Sequence, residues 1–106
     1  MLYGLKTHII EKIQDVFVEY PEIDKVILYG SRAMGNFKIG SDIDLTLTGD
    51  NIDLSLLHKI ESELDDLLLP YTFDISIFDH IKNKNLLDHI DRIGVEFYVK
   101  SSNSSL

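Results

Sequence analysis

The sequence contains no cysteine. Disulfides and thiolate metal sites are therefore excluded, and the composition fits a reducing cytosol. Basic residues are scarce: 10 Lys and Arg stand against 18 Asp and Glu, a formal charge of −8. Such a surface repels nucleic-acid phosphates and no basic stripe offsets it, so direct DNA or RNA binding by this chain is not expected. The same acidic surplus suits divalent cations or a basic protein partner, and it also simply keeps a protein soluble. No hydrophobic run approaches the roughly 20 residues of a membrane span. Met1 to Glu11 carries neither a long apolar core nor a small-residue cleavage signal, which leaves the cytoplasm as the expected location. Internal repeats and linkers are lacking. One domain over residues 1–100 is expected, followed by a polar, disordered tail over 101–106 that begins Ser-Ser-Asn-Ser-Ser.

What is present is clear periodicity. Leu5, Ile9, Ile13, Val16 and Phe17 recur at helical spacing, which predicts a helix from about Tyr3 to Glu19 before Pro21. Val26 to Tyr29 reads as a short strand buried on both faces. Gly30 to Ser41 reads as a tight turn, a helical turn or two, and a loop. From Asp42 to Thr48 the residues alternate: Asp42, Asp44, Thr46 and Thr48 share one face, and Ile43, Leu45 and Leu47 share the other. A helix from about Asp53 to Leu68, capped by Asp50 or Asp53, precedes a second alternating strand, Thr72 to Phe78. There Thr72, Asp74 and Ser76 oppose Phe73, Ile75 and Ile77. A last helix spans about Lys82 to Ile93 and stops at Gly94; Val95 to Val99 is open between a strand and more helix. The fold class is α/β (α+β), with a small mixed sheet of three to four strands and helices packed mainly on one face.

The two alternating strands bring chemistry. Asp42 and Asp44 leave one strand face roughly 6.5 Å apart at the backbone. Asp74 holds the equivalent place on the later strand, so three carboxylates converge on one open face if the two strands are neighbours. That crowding of like charge needs a shared proton, a basic side chain or cations to offset it. Oxygen ligands without His or Cys suit Mg²⁺ or Mn²⁺. Taken alone, Asp42 and Asp44 read equally well as solvated charge. Gly30-Ser31 follows a buried strand and opens a helical turn, where backbone N–H groups and the Ser31 hydroxyl suit phosphate oxygens, and Arg32 or Lys38 can add charge. Taken alone, Gly30-Ser31 reads as an ordinary strand-to-helix turn. His8, His58, His80 and His89 share no metal-site spacing and read as surface or helix-flank residues. Tyr20, Tyr29, Tyr71 and Tyr98 read as core or rim aromatics, and Leu67-Leu68-Leu69 as core.

Together these residues spell Gly30-Ser31, ten intervening residues, Asp42-Ile43-Asp44, and a later strand Asp74. The pattern resembles the signature of the DNA polymerase β-like nucleotidyltransferase superfamily. The strings Gly30-Ser31-Arg32-Ala33-Met34-Gly35 and Gly40-Ser41-Asp42-Ile43-Asp44-Leu45 are similar to its minimal branch, the MNT domain, over nearly the whole chain. The resemblance implies that Gly30 and Ser31 hold a nucleoside triphosphate, with Arg32 assisting. It implies that Asp42 and Asp44 ligate two Mg²⁺ ions, with Mn²⁺ as an alternative. Asp74 would be the third ligand and would activate or orient the nucleophile. The implied reaction is in-line attack of a hydroxyl on the α-phosphate of ATP, with release of pyrophosphate. Met34 departs from the pattern, since relatives often carry a second basic residue there. Small size and the lack of an added acceptor domain resemble the antitoxin half of HEPN/MNT toxin–antitoxin pairs, which implies a HEPN ribonuclease toxin as partner and AMP transfer to one of its tyrosines. Two alternatives stay open: an antitoxin that acts by contact alone, and transfer to a small-molecule hydroxyl. The base, the number of AMP units and the oligomeric state, homodimer or hetero-oligomer with the toxin, are not fixed by the sequence.

Overall fold

A computed structural model describes residues 1–101; the rest of the expected tail, 102–106, lies outside the described residues. The first helix, α1, covers Thr7–Val18, four residues later than the periodicity suggests. Tyr3 and Gly4 have φ of 58° and 74°, which a right-handed helix does not admit. Leu2 and Leu5 instead exchange backbone hydrogen bonds of 3.1 and 2.7 Å across a tight turn. Leu5 still reaches the core and is fully buried, so its apolar signal was real although its helix was not.

Four strands form one sheet in the order β3-β2-β1-β4. They are β1 (Lys25–Tyr29), β2 (Ile43–Thr48), β3 (Phe73–Ile77) and β4 (Val95–Val99). Central β1 runs antiparallel to both β2 and β4, while β2 and β3 are parallel. A parallel pair needs a long crossover, and α3 (Leu54–Asp66) supplies it between β2 and β3. The expected alternation is what packs the sheet. Val26, Leu28, Ile43, Leu45, Leu47, Ile75 and Ile77 are buried in one core with Ile13 and Phe17 of α1 and Ile60 and Leu64 of α3. Each such side chain stabilises the fold by about 1.5–3 kcal/mol. Leu68 is the exception among the expected core leucines: at φ 54° it leaves the end of α3 in a left-handed turn and is 88% exposed.

The opposite sheet face carries Asp44, Thr46, Asp74, Ser76, Ile27 and Tyr29. The last helix reaches it. Asn83 accepts a 3.1 Å bond from the Leu86 N–H, and α4 therefore starts at Lys84 rather than Lys82 and runs to Ile93. Its Leu87 and Ile90 line a small cavity with Ile27. At Gly94 the chain passes so near β1 that a Cβ would lie 2.7 Å from Ile27 Cγ2. The Gly94 N–H closes the helix on Ile90 O, and the β-favouring run Val-Glu-Phe-Tyr-Val continues as β4 rather than as helix. No helix among the described residues is long and apolar enough to cross a membrane.

Of the two candidate caps of α3, Asp53 is the one used: its Oδ1 accepts a 2.9 Å bond from the Leu56 N–H. Asp53→Ala is expected to lower stability by about 1 kcal/mol in urea denaturation. Asp50→Ala, at an exposed position off the helix, is expected to leave the midpoint unchanged.

Candidate active site

The parallel register of β2 and β3 sets Asp44 directly beside Asp74, with Leu45 beside Ile75 beneath them in the core. Neighbouring strands stand about 4.8 Å apart, so the two carboxylates share one edge of the open face. Asp42 lies just before β2 and outside the ladder, although Ile43 N–H still bonds Thr72 O at 2.9 Å. Its carboxylate is held instead by a short hydrogen bond from the Thr72 hydroxyl. The structure thus brings all three expected aspartates to the same end of β2 and β3, two on the ladder and one at its mouth.

Burial, together with the Asp74 and Asp42 carboxylates, pushes the Asp44 carboxyl up to about 6, against the pull of the Arg32 cation. Beneath lies a polar floor. Tyr29 pairs with Asp44 across β1 and β2 and is buried. Burial raises its phenol, Asp74 and Asp44 add to the rise, and a hydrogen bond with Ser76 opposes it. Ser76 Oγ in turn donates to Thr46 Oγ1 at 2.9 Å. Among the described residues no group of three or more His, Cys, Asp or Glu forms a ready-made metal cage. An open, oxygen-only, anionic edge is nevertheless what Mg²⁺ takes, since that ion keeps waters and substrate phosphates beside one or two carboxylates. The donor set fits the metal in chemistry, and Asp42, Asp44 and Asp74 are the residues that would hold it.

The Gly30-Ser31 turn lies against this edge. It opens α2 (Gly30–Met34) directly after β1. Gly30 has φ 77°, and a Cβ there would run into Asp44 Oδ2. Glycine is thus required twice, by the backbone and by the carboxylate. The Gly30 N–H donates to His89 Nε2 at 3.1 Å, and the His89 ring stands edge-on to Tyr29 at 6.2 Å. Read from the sequence as a surface or helix-flank residue, His89 is half-buried on α4 and faces the turn. Its helical register with Leu86 and Ile93, beside buried Ile90, carried the missing signal.

Arg32 also differs from expectation. It is 3% exposed. Nε and Nη2 donate to Ser41 O at 3.2 and 3.0 Å, and Nη1 donates to Tyr3 O at 2.9 Å. The guanidinium lies 5.2 Å from the ring centres of both Phe37 and Tyr71. Three of its five N–H groups bond backbone carbonyls and the side chain is buried, so it braces the loop that delivers Asp42. The aromatic faces and carbonyl oxygens compensate a buried cation that, among the described residues, has no carboxylate within bonding distance.

The family model for polymerase beta nucleotidyltransferases matches residues 11–103. The chain belongs to the polymerase β nucleotidyltransferase family. None of the curated proteins matches the sequence. Among solved structures, a chain of a toxin–antitoxin structure with AMP-PNP aligns over 89% of this chain and 75% of its own, at TM-score 0.70 and 18% identity. The MntA–HepT toxin–antitoxin structure aligns over 92% and 75%, at TM-score 0.65 and 15% identity. The complex of tri-AMPylated Shewanella oneidensis HEPN toxin with MNT antitoxin aligns over 91% and 70%, at TM-score 0.57 and 16% identity. At these identities the likeness is one of fold.

Two outcomes follow from the geometry. Asp44 holds its proton more tightly in the fold than in the unfolded chain, so its contribution to stability is present below about pH 4 and lost as pH rises through about 6. Asp44→Asn is therefore expected to be more stable than wild type in urea at pH 7, with the difference vanishing near pH 4. Arg32→Lys keeps the charge but loses the fork that joins Ser41 to Tyr3; the expected loss is about 1–3 kcal/mol in the same assay.

Proposed function

We propose that this protein is a Mg²⁺-dependent nucleotidyltransferase that moves AMP from ATP to a tyrosine hydroxyl of a HEPN ribonuclease toxin, and so acts as its antitoxin. One observation carries the reading: Asp44 stands in register with Asp74 while the Gly30-Ser31 turn backs onto the Asp44 carboxylate. This arrangement supports the reading, because transfer at a phosphorus centre needs a phosphate-binding turn beside a cation site. Three of the fold neighbours support the partner, since they come from toxin–antitoxin structures, one containing AMP-PNP and another a tri-AMPylated HEPN toxin.

In this reading Asp42, Asp44 and Asp74 hold the metal, and Ser31 contacts the triphosphate where Gly30 gives it room. Bound Mg²⁺ supplies neutralisation of the phosphate charge, with Mn²⁺ as an alternative. The tyrosine oxygen forms a new bond to the α-phosphorus as the bond from that phosphorus to the bridging oxygen of the β-phosphate breaks. Pyrophosphate leaves with that electron pair, and the phenolic proton passes to the Asp74 carboxylate. The cytoplasm, where ATP and Mg²⁺ are both at hand, is the proposed location.

The test uses ATP labelled at the α-phosphate, Mg²⁺ and the product of the adjacent gene. Mass spectrometry is expected to find AMP on a tyrosine of that partner, and Asp42→Ala and Asp74→Ala are each expected to abolish the label. Inhibition of the partner that persists in both variants without label would replace catalysis with binding alone. Label found instead on a small hydroxylated compound would move the acceptor to that class.

A further inference from the structure

We propose that His89 is a positioning residue for the phosphate turn, holding the Gly30 N–H through Nε2 and thereby fixing the clearance between Gly30-Ser31 and Asp44. The proposal rests on the reading that this turn binds nucleotide, and it assigns the turn an anchor that lies on another element, 59 residues away in sequence.

Gly30 needs such an anchor. It has no side chain to pack, its φ of 77° is a basin glycine enters and leaves freely, and the Asp44 carboxylate stands where its Cβ would be. A small shift of this residue alters the space between the turn and the aspartate edge. The imidazole that meets it is fixed at two points, by the 3.1 Å bond to the Gly30 N–H and by its edge-on approach to the buried Tyr29 ring. The helix that carries it is fixed in turn, because Ile90, next to His89, is buried against the Ile27 side of β1. His89 thus ties the turn to the same strand from which the turn departs.

The direction of the bond has a chemical consequence. Nε2 accepts, so the imidazole is neutral with its proton on Nδ1. The Gly30 N–H is already engaged and is not offered to a phosphate oxygen. Phosphate recognition by the turn then falls to the N–H and hydroxyl of Ser31, and Gly30 contributes clearance.

Two variants separate anchoring from mere packing of α4. His89→Phe keeps a ring against Tyr29 and removes the acceptor. His89→Gln drops the ring and keeps an acceptor at the same reach. In the nucleotide-free protein, amide exchange at Gly30 is expected to accelerate about tenfold in His89→Phe and to stay near wild type in His89→Gln. The imidazole ¹⁵N shifts of the wild type are expected to report the Nδ1-protonated tautomer. Calorimetric titration with MgATP is expected to show affinity about tenfold weaker for His89→Phe, one lost hydrogen bond, and largely restored for His89→Gln. Thermal melts confirm that both variants are folded. His89→Phe matching wild type in exchange and in MgATP affinity overturns the proposal, and so does equal weakening in both folded variants. If the wild type itself binds no MgATP, the nucleotide reading fails, while the exchange and tautomer results still decide whether His89 anchors Gly30.

Discussion

Asp44 stands beside Asp74 because β2 and β3 run parallel and in register, and that pairing governs the rest of the molecule. Burial penalises the charged Asp44 carboxylate, and repulsion from Asp74 beside it adds to that penalty, so Asp44 holds its proton more tightly. Nothing in the pair itself holds it together. What holds it is the other side of the same two strands, where Ile43, Leu45, Leu47, Ile75 and Ile77 are buried against α1 and α3. A slip of one residue in either strand would turn its leucines or isoleucines to solvent and its aspartate to the core. The apolar face therefore locks the register, and the register imposes the charge crowding. Because the pair is parallel, the crossover helix α3 is obligatory as well, and α3 supplies much of that core.

This division of labour explains which features were legible in the sequence. Period-2 alternation reports which face a residue lies on, and it placed Asp44, Asp74 and their buried neighbours without reference to any other element. It does not report which strands pair. The mixed order β3-β2-β1-β4, with β4 against β1, follows from connections that no local pattern encodes. Asp42 shows the limit within one strand. Its parity was readable, but its place just outside the ladder, tied to Thr72, depends on where β3 begins.

The side chains that reach across elements were misread for a common reason. Arg32 follows the glycine-serine turn and carries charge, so proximity in sequence suggested a phosphate contact. Its real partners, the carbonyls of Ser41 and Tyr3 and the rings of Phe37 and Tyr71, come from the chain terminus, the loop after α2 and the start of β3. His89 was unremarkable beside its own neighbours and is bonded to Gly30. In both cases the sequence shows a polar residue and hides the acceptor or donor that satisfies it. The early left-handed turn at Tyr3 belongs to the same class, since it places the carbonyl that Arg32 needs.

The site combines a loosely gathered set of carboxylates with a tightly braced surround. Asp42 and Asp74 are exposed, and the aspartates form no closed cage. Around them Arg32 is buried and doubly stacked, Tyr29, Ser76 and Thr46 form a satisfied polar floor, and Gly30 is pinned from α4. The contrast has a physical logic. A closed anionic cage would keep its cation whether or not substrate is present, whereas an open edge binds metal strongly only when phosphate oxygens complete the coordination. In the proposed reading, metal and nucleotide would then stabilise each other's binding by the same free energy, whichever arrived first. For that coupling to favour one geometry, the protein groups that meet them must not relax toward solvent when empty. In the proposed reading the braced surround meets that need, and the residual repulsion at Asp44 is the part of the folded structure that a cation would relieve.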